Sequence, residues 1–322
     1  MSNEYYYEWK WELQSSPEAL WPYVSDTNRF NRDTGLEALD LNEAADGTIG
    51  RHLRFTMFGF IPIEWIEEPF QWIYGQRFGV VRHYLKGPVK QMRVVADLEP
   101  LDNGGTRLTY KVWATPKNLL GNIAIPIQIG QISARAFEKA FRQYDQLIQD
   151  QIPLSAFPAT VNLQPRAQER LIAGRQQLLA DNQPPELIDN LFKVITEADE
   201  FVVSELRPYK LADDWDASRH DVLALCLMAT RAGILDFQWQ VLCPMCRGAN
   251  GNVAEHLEEL HADVHCPSCN IDYTANFDRS VEVTFRPSPV IRDVTRLEYC
   301  VAGPQVTPHI VAQQLLPPHA KI

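Results

Sequence analysis

Residues 90–116 read KQMRVVADLEPLDNGGTRLTYKVWATP, and the folding of the first half of the chain is decided in this stretch. Met92, Val94, Ala96 and Leu98 alternate with Gln91, Arg93, Val95 and Asp97. Past Asp102-Asn103-Gly104-Gly105, Leu108, Tyr110 and Val112 alternate with Arg107, Thr109, Lys111 and Trp113. A period of two sends successive side chains to opposite faces of a strand, one dry and one wet. The Asn-Gly step suits the positive-φ positions of a tight turn, so the two runs predict an antiparallel hairpin.

Working outward, Leu53, Phe55 and Met57 alternate with His52, Arg54 and Thr56, and YYYEWKWEL at 5–13 reads as an opening strand. Ser16-Pro17-Glu18 is an N-cap followed by proline at the first helical position, with Leu20, Trp21 and Val24 as the apolar stripe. In SARAFEKAFRQYDQLIQD, residues 133–150, Phe137, Phe141, Tyr144 and Ile148 recur at helical spacing. The order strand, helix, antiparallel strands, long helix predicts an α+β fold, a curved sheet wrapped around one helix.

The phrase W-x-L-x-x-S-P-x-x-L-W-x-x-V-S-D-T-x-R-F-N, from Trp11 to Asn31, resembles the opening of SRPBCC (START-like, polyketide-cyclase-type) domains, and the resemblance covers roughly residues 1–150. It implies a helix-grip domain whose sheet and long helix enclose an apolar cavity for a lipid, polyketide or other hydrophobic small molecule. Leu53, Phe55, Met57, Met92, Val94, Tyr110, Val112, Phe137 and Phe141 are the expected lining, joined by His83 if Val81 and Leu85 face inward. Acid/base catalysis needs titratable groups inside such a cavity. Few are on offer: Tyr110 reads as ordinary core, His83 as an edge histidine, and Glu67 and Glu68, beside Pro69, as a strand exit. A binding cavity is expected rather than an active site.

The second half is built differently. Six of eight Trp lie within the first 113 residues, whereas all six Cys follow residue 225. PLSAFPATVNLQP, 153–165, has three prolines and no period, and reads as a linker. Expected units are therefore 1–152, the linker 153–165, a helical, winged-helix-like segment 166–235, and a zinc-ribbon-containing β domain 236–322. AQERLIAGRQQLLAD and PPELIDNLFKVITEAD are amphipathic. RHDVLALCLMATRAG starts at a Ser218/Asp221 capping pair and stops at Gly233, with Cys226 as a small buried hydrophobe.

Cys243-Pro-Met-Cys246 and Cys266-Pro-Ser-Cys269 are two C-P-x-C knuckles separated by 19 residues. Four thiolates at this spacing can close a tetrahedral shell around Zn²⁺, leaving no open position for catalysis. Disulfides, a redox pair and a rubredoxin-type iron site are the competing readings; one structural zinc in a ribbon is the expectation. His256, His261 and His265 lie between the knuckles, read as a solvated helix face, and HLEELH lacks the HExxH spacing. Cys300 and His309 are read as structural rather than as a second metal pair.

Ala229–Trp239 (ATRAGILDFQW), CPMCRG, CPSC, Phe285–Arg292 (FRPSPVIR) and Cys300–His309 (CVAGPQVTPH) resemble an uncharacterised domain. That domain follows an SRPBCC domain in some bacterial proteins carrying a class III adenylate/guanylate cyclase. The resemblance implies that residues 165–322 are regulatory and that a cyclase domain or another protein is the partner. No cyclase domain lies within the 322 residues, so the chain is expected to be the sensor part.

The formal net charge of −11 disfavours nucleic acid and acidic lipid as partners. No apolar run reaches the roughly 18 residues of a membrane span. The acidic, aromatic start lacks the pattern of a signal peptide, so a cytoplasmic protein is expected. P-loop, GxGxxG, GxSxG and HExxH strings do not occur. The expected function is a non-catalytic sensor that binds a hydrophobic small molecule. A polyketide cyclase or aromatase-like enzyme and a zinc-ribbon adaptor without ligand are the alternatives.

Overall fold

The hairpin at 90–116 is the centre of an antiparallel sheet. In the structure, a computed structural model, residues 4–40, 51–57, 59–153, 156, 157, 159–249, 253–266, 269, 271–295 and 297–316 are described. Strands β1 (Tyr5–Leu13), β2 (Arg51–Met57), β3 (Ile61–Glu67), β4 (Gln71–Ile73), β5 (Arg77–Lys86), β6 (Val89–Pro100) and β7 (Thr106–Pro116) line up as β1-β7-β6-β5-β3-β2, with β4 on β5. Pro100 pairs with Thr106, and Gly104 at φ 84° takes the left-handed turn position that glycine fills without strain. Val94, Ala96, Leu98, Leu108, Tyr110 and Val112 all face the core.

Helix α1 (Pro17–Val24) is capped by Ser16 Oγ, which accepts from Ala19 N at 3.3 Å, and buries Leu20, Trp21 and Val24. Helix α2 (Thr27–Asp33) is capped by Asp26. The segment Leu119–Ile127 forms α3 and runs through a π-helical stretch, Gln128–Ser133, into the long helix α4 (Ala134–Gln149). Phe141 and Tyr144 of α4 are fully buried, while Phe137 and Ile148 pack at the margin. The Asp145 carboxylate accepts the N–H groups of Gln14 and Ser15, each at 2.9 Å, and fixes α4 against the end of β1. The sheet therefore grips the helix, and the chain is α+β.

The second half has its own apolar core. Helices α5 (Ala167–Ala180), α6 (Pro185–Glu197), α7 (Glu200–Val203), α8 (Pro208–Asp214) and α9 (Arg219–Arg231) supply Leu171, Leu178, Ile188, Leu191, Ile195, Val203, Leu211, Val222 and Leu225. Cys226 lies among them, and burial pushes its thiol up to about 12, so it behaves as a hydrophobe. Strand β8 (Leu235–Val241) pairs with β9 (Val253–Ala254) and, through Phe237↔Phe285, with the later strand Val281–Pro287. Between them β10 (Asp263–Cys266) and β11 (Ile271–Thr274) form a hairpin, followed by a helical turn, α10 (Phe277–Ser280). The strand Val281–Pro287 is thus β12.

The chain then returns to the first half. Cys300 and Ala302 lie in the core of the grip domain. Asn28 Oδ1 accepts from Tyr299 N at 2.6 Å and Cys300 N at 3.0 Å, and Asn31 Nδ2 donates to Tyr299 O at 2.9 Å. Further on, Trp72 Nε1 donates to Ile310 O at 2.9 Å, and β13 (Ala312–Gln313) pairs antiparallel with β4. Residues 298–313 are thus a strap from the cysteine-bearing half across the first sheet. Among the described residues no helix is long and apolar enough to cross a membrane.

Candidate functional site

The two knuckles are placed by strands that end at them. Cys243 and Cys246 follow β8, while Cys266 ends β10 and Cys269 lies in the turn before β11. In the first knuckle Arg247 takes φ 61°, its N–H donates to Cys243 O at 2.9 Å, and Cys243 N donates to Gly248 O at 3.0 Å. The turn aims amide hydrogens at sulfur: Met245 N at Cys243 Sγ and Gly248 N at Cys246 Sγ, both at 3.4 Å. Cys269 N points at Cys266 Sγ at 3.4 Å in the second. Such N–H groups stabilise thiolates and are the outer support of a sulfur-ligated metal.

The four Sγ atoms lie within 4.8 Å of one another, and Cys246 Sγ is 3.6 Å from Cys266 Sγ. Sulfurs about 2.3 Å from a central zinc stand at the corners of a tetrahedron with edges of about 3.8 Å. A disulfide would need about 2.05 Å. The donor set, spacing and amide support therefore fit a metal ion held by four sulfurs. Thiol hydrogen bonds from Cys266 and Cys269 hold Cys246 far below the ordinary thiol range, and the same bonds raise those two in return. Ile271, Tyr273 and Val306 cover the cluster, Val306 coming from the strap.

The histidines between the knuckles are not on a helix. Glu259 Oε2 accepts from Glu255 N and His256 N, closing a single 3₁₀ turn at Leu257–Glu259. His265 is on β10 and its Nδ1 lies 2.8 Å from Asp272 Oδ1 across the hairpin, while His261 is exposed. Among the described residues, the metal-competent cluster consists of the four cysteines. Cys300 and His309 stand apart: Thr27 Oγ1 donates to Cys300 Sγ at 3.1 Å, and His309 Nε2 lies 3.1 Å from Met245 O, tying the strap to the first knuckle.

Within the grip domain the expected lining divides into two groups. Val94, Tyr110, Val112 and Phe141 are buried in the main core, with Met92 and Phe137 packed against it. Leu53 belongs to a separate cluster with Ile63, Trp65 and Val301, against which Phe55 and Met57 pack. Tyr110 meets Phe137 at 4.9 Å and Phe141 at 5.8 Å between ring centroids. Phe30 of α2 stacks on Phe141 at 4.9 Å and fills the space between them. Burial raises the Tyr110 phenol well above its usual range, which keeps it neutral.

His83 does not turn inward. Its side chain is 45% exposed and its Nε2 lies 2.7 Å from Glu68 Oε1. The inward positions on β5 are Phe78, Val80, Arg82 and Tyr84. Arg82 Nε donates at 2.8 Å to Oε2 of Glu67, a carboxylate that is 1% exposed. The sequence reading of Glu67 as a plain strand exit missed this pair. The signal available was the cross-strand match of an acidic and a basic residue, Glu67↔Arg82.

Residues 172–299 match a family described as "Family of unknown function (DUF5939)". None of the curated proteins compared with the chain matches it. Among solved structures, a Thalictrum flavum norcoclaurine synthase point mutant is similar at 17% identity, over 46% of this chain and 98% of that one, with a TM-score of 0.34. An aromatase/cyclase from a Streptomyces species is similar at 9% identity, over 45% and 96%, with a TM-score of 0.34. A protein from Rhizobium loti is similar at 17% identity, over 44% and 99%, with a TM-score of 0.33.

Proposed function

We propose that this chain is a non-catalytic sensor or regulatory module. A hydrophobic small molecule binds between the sheet and α4, and the cysteine-bearing half, stapled by one zinc ion, reads its presence. The observation that carries this reading is the strap. It lines the interior of the grip domain with Cys300 and Ala302, and it touches the first knuckle through His309 and Val306. A ligand that displaces α2 or the strap would move groups fixed to the metal site. The paired, half-exposed His83 and the neutral, buried Tyr110 favour binding over acid/base chemistry. The partner implied by the resemblance of residues 165–322 is a nucleotide cyclase domain or another protein.

Native mass spectrometry of gently purified protein tests the reading. A lipid-like adduct, lost on extraction and regained on incubation with the extract, is the expected result. An adduct-free protein that takes up nothing from the extract would overturn it. One observation favours a zinc-ribbon adaptor without ligand: the ring of Phe30 already occupies the space against Tyr110, Phe137 and Phe141. That reading predicts no shift in melting temperature with any apolar compound.

A further inference from the structure

We propose that α3 and the π-helical stretch after it form a docking seam for an acidic, amphipathic helix of a partner protein. The surface lies outside the ligand and metal sites, and it defines the chemistry of the partner. Residues 118–134, NLLGNIAIPIQIGQISA, contain no charged residue. Their aliphatic side chains nevertheless turn outward: Leu119 is 84% exposed and Ile123 63%, with Leu120, Ile127 and Ile132 also exposed. Leu120, Ile123 and Ile127 recur at spacings of three and four, the pattern of a helix–helix seam. Ile132 follows five residues later, a step that would swing it off the stripe of an α-helix. The π-helical stretch Gln128–Ser133 spans that step. Its hydrogen bonds reach across five residues instead of four, so Ile132 stays in line with Ile127.

The opposite side of the helix is fixed to the domain. Ile125 is buried, and a Cβ at Gly121 would stand 2.2 Å from Pro88 O. Tyr5 Oη donates at 3.3 Å to Asn122 O, a carbonyl that Pro126, lacking an N–H, cannot serve. The charges at the two ends select the occupant. Exposed Lys117 precedes α3, with exposed Lys90 on β6 next to Val89, the partner of Pro116. Arg135 and Lys139 are exposed at the other end. From 103 to 137 the chain has no acidic residue, although its net charge is −11, and Glu138 is paired with Arg142. A second copy would set cations against cations. A helix lying on a bilayer carries Lys and Arg along its polar face, whereas the flanks here are Asn122, Gln128 and Gln131. A helix with an apolar face edged by Asp and Glu matches both the stripe and its charged ends. From Leu119 to Ile132 the seam is roughly 20 Å long, which suits a transient contact rather than a permanent one.

Fluorescence anisotropy of the full chain with two synthetic helical peptides tests the seam. Both peptides carry Leu at heptad positions a and d; one has Glu at e and g, the other Lys. The Glu peptide is expected to bind in the micromolar range, and the Lys peptide at least about tenfold more weakly. Ile123→Ser/Ile127→Ser, at exposed positions, should weaken the Glu peptide about tenfold while circular dichroism and melting temperature keep their wild-type values. Ile132→Ser should also weaken it, because the π turn brings that side chain into the seam. Lys117→Glu/Arg135→Glu should reverse the preference between the peptides. Failure of the Glu peptide to bind, equal binding of both peptides, or binding that survives the Ile substitutions overturns the proposal. Attachment to phosphatidylserine vesicles that the Ile substitutions abolish would overturn it in favour of a membrane contact. A dimer in sedimentation that the same substitutions abolish would overturn it in favour of a second copy of the chain.

Discussion

Arg29 and Asp199, 170 residues apart, form an ion pair whose side chains are 5% and 2% exposed. Arg32 Nη2 reaches the same Asp199 oxygen at 3.0 Å, and the Arg29 guanidinium lies 4.3 Å from the centroid of the Phe157 ring. The other oxygen of Asp199 accepts from Val202 N at 3.1 Å and caps α7. One carboxylate thus joins α2 of the grip domain to the helical half. Removing one partner of a buried pair leaves a charge without compensation, costing about 3–5 kcal/mol. Asp199→Ala is expected to lose about that much in urea unfolding, with Asp199→Asn losing less because the cap and the hydrogen bonds survive in part. A loss below about 1 kcal/mol would show that Arg29 and Arg32 re-solvate freely.

Metal analysis of the purified chain should find one zinc per molecule. Binding free energy at a four-sulfur site is folding free energy, so a strong chelator should lower the melting temperature and added zinc should restore it. Cys243→Ser and Cys266→Ser should each release the metal. Full stability in both variants would mean that the cluster holds nothing.

Stability should decline in alkali. Burial raises the phenols of Tyr110 and Tyr144, and the Tyr144 hydroxyl also donates to Asp33 Oδ2 at 2.8 Å. The unfolded chain releases these protons near pH 10.0, while the folded chain keeps them. Their contribution is therefore whole below pH 10.0 and is lost as pH rises toward the folded values. Each should cost up to about 1.4 kcal/mol per pH unit. Tyr110→Phe should make the decline shallower, read as chemical unfolding at a series of pH values. An unchanged slope would place the titration of Tyr110 outside the folding equilibrium.

Trp72→Phe keeps an aromatic ring under the strap and deletes the N–H that meets Ile310 O. Leaving that carbonyl unpaired should cost about 1–2 kcal/mol locally. Amide exchange at Gln313, and at Tyr74, whose N–H donates to Val311 O at 2.7 Å, should accelerate while exchange in α6 stays unchanged. Acceleration throughout the chain would mean that the strap does not open by itself.

The β6–β7 hairpin was legible because its information is local: two runs of period two and a turn whose glycine takes positive φ. The cysteine pairs were legible because C-x₂-C spacing is a constraint on sulfur geometry. His83 was not, because β5 carries apolar residues at both parities: Phe78 and Val80 on one side, Val81 and Leu85 on the other. Periodicity cannot choose between such faces, and the choice fell to Phe78, Val80, Arg82 and Tyr84. The segment LLGNIAIPI gives no polar face from which to read a helix, and Pro126 lies inside it. The strap left no trace in the pattern. Its anchors, Asn28 and Trp72, lie more than two hundred residues away, and the prolines and turns of 303–309 have no period.

That separation has a consequence for how the protein is made. Trp72 and Ile310 are 238 positions apart. At roughly 5–20 residues per second on the ribosome, β4 emerges roughly 10–50 s before its partner strand exists. Throughout that interval its outer backbone groups are an open edge, able to pair with another nascent chain. Crowded polysomes, rather than dilute refolding, are where this sheet is most exposed to misassembly.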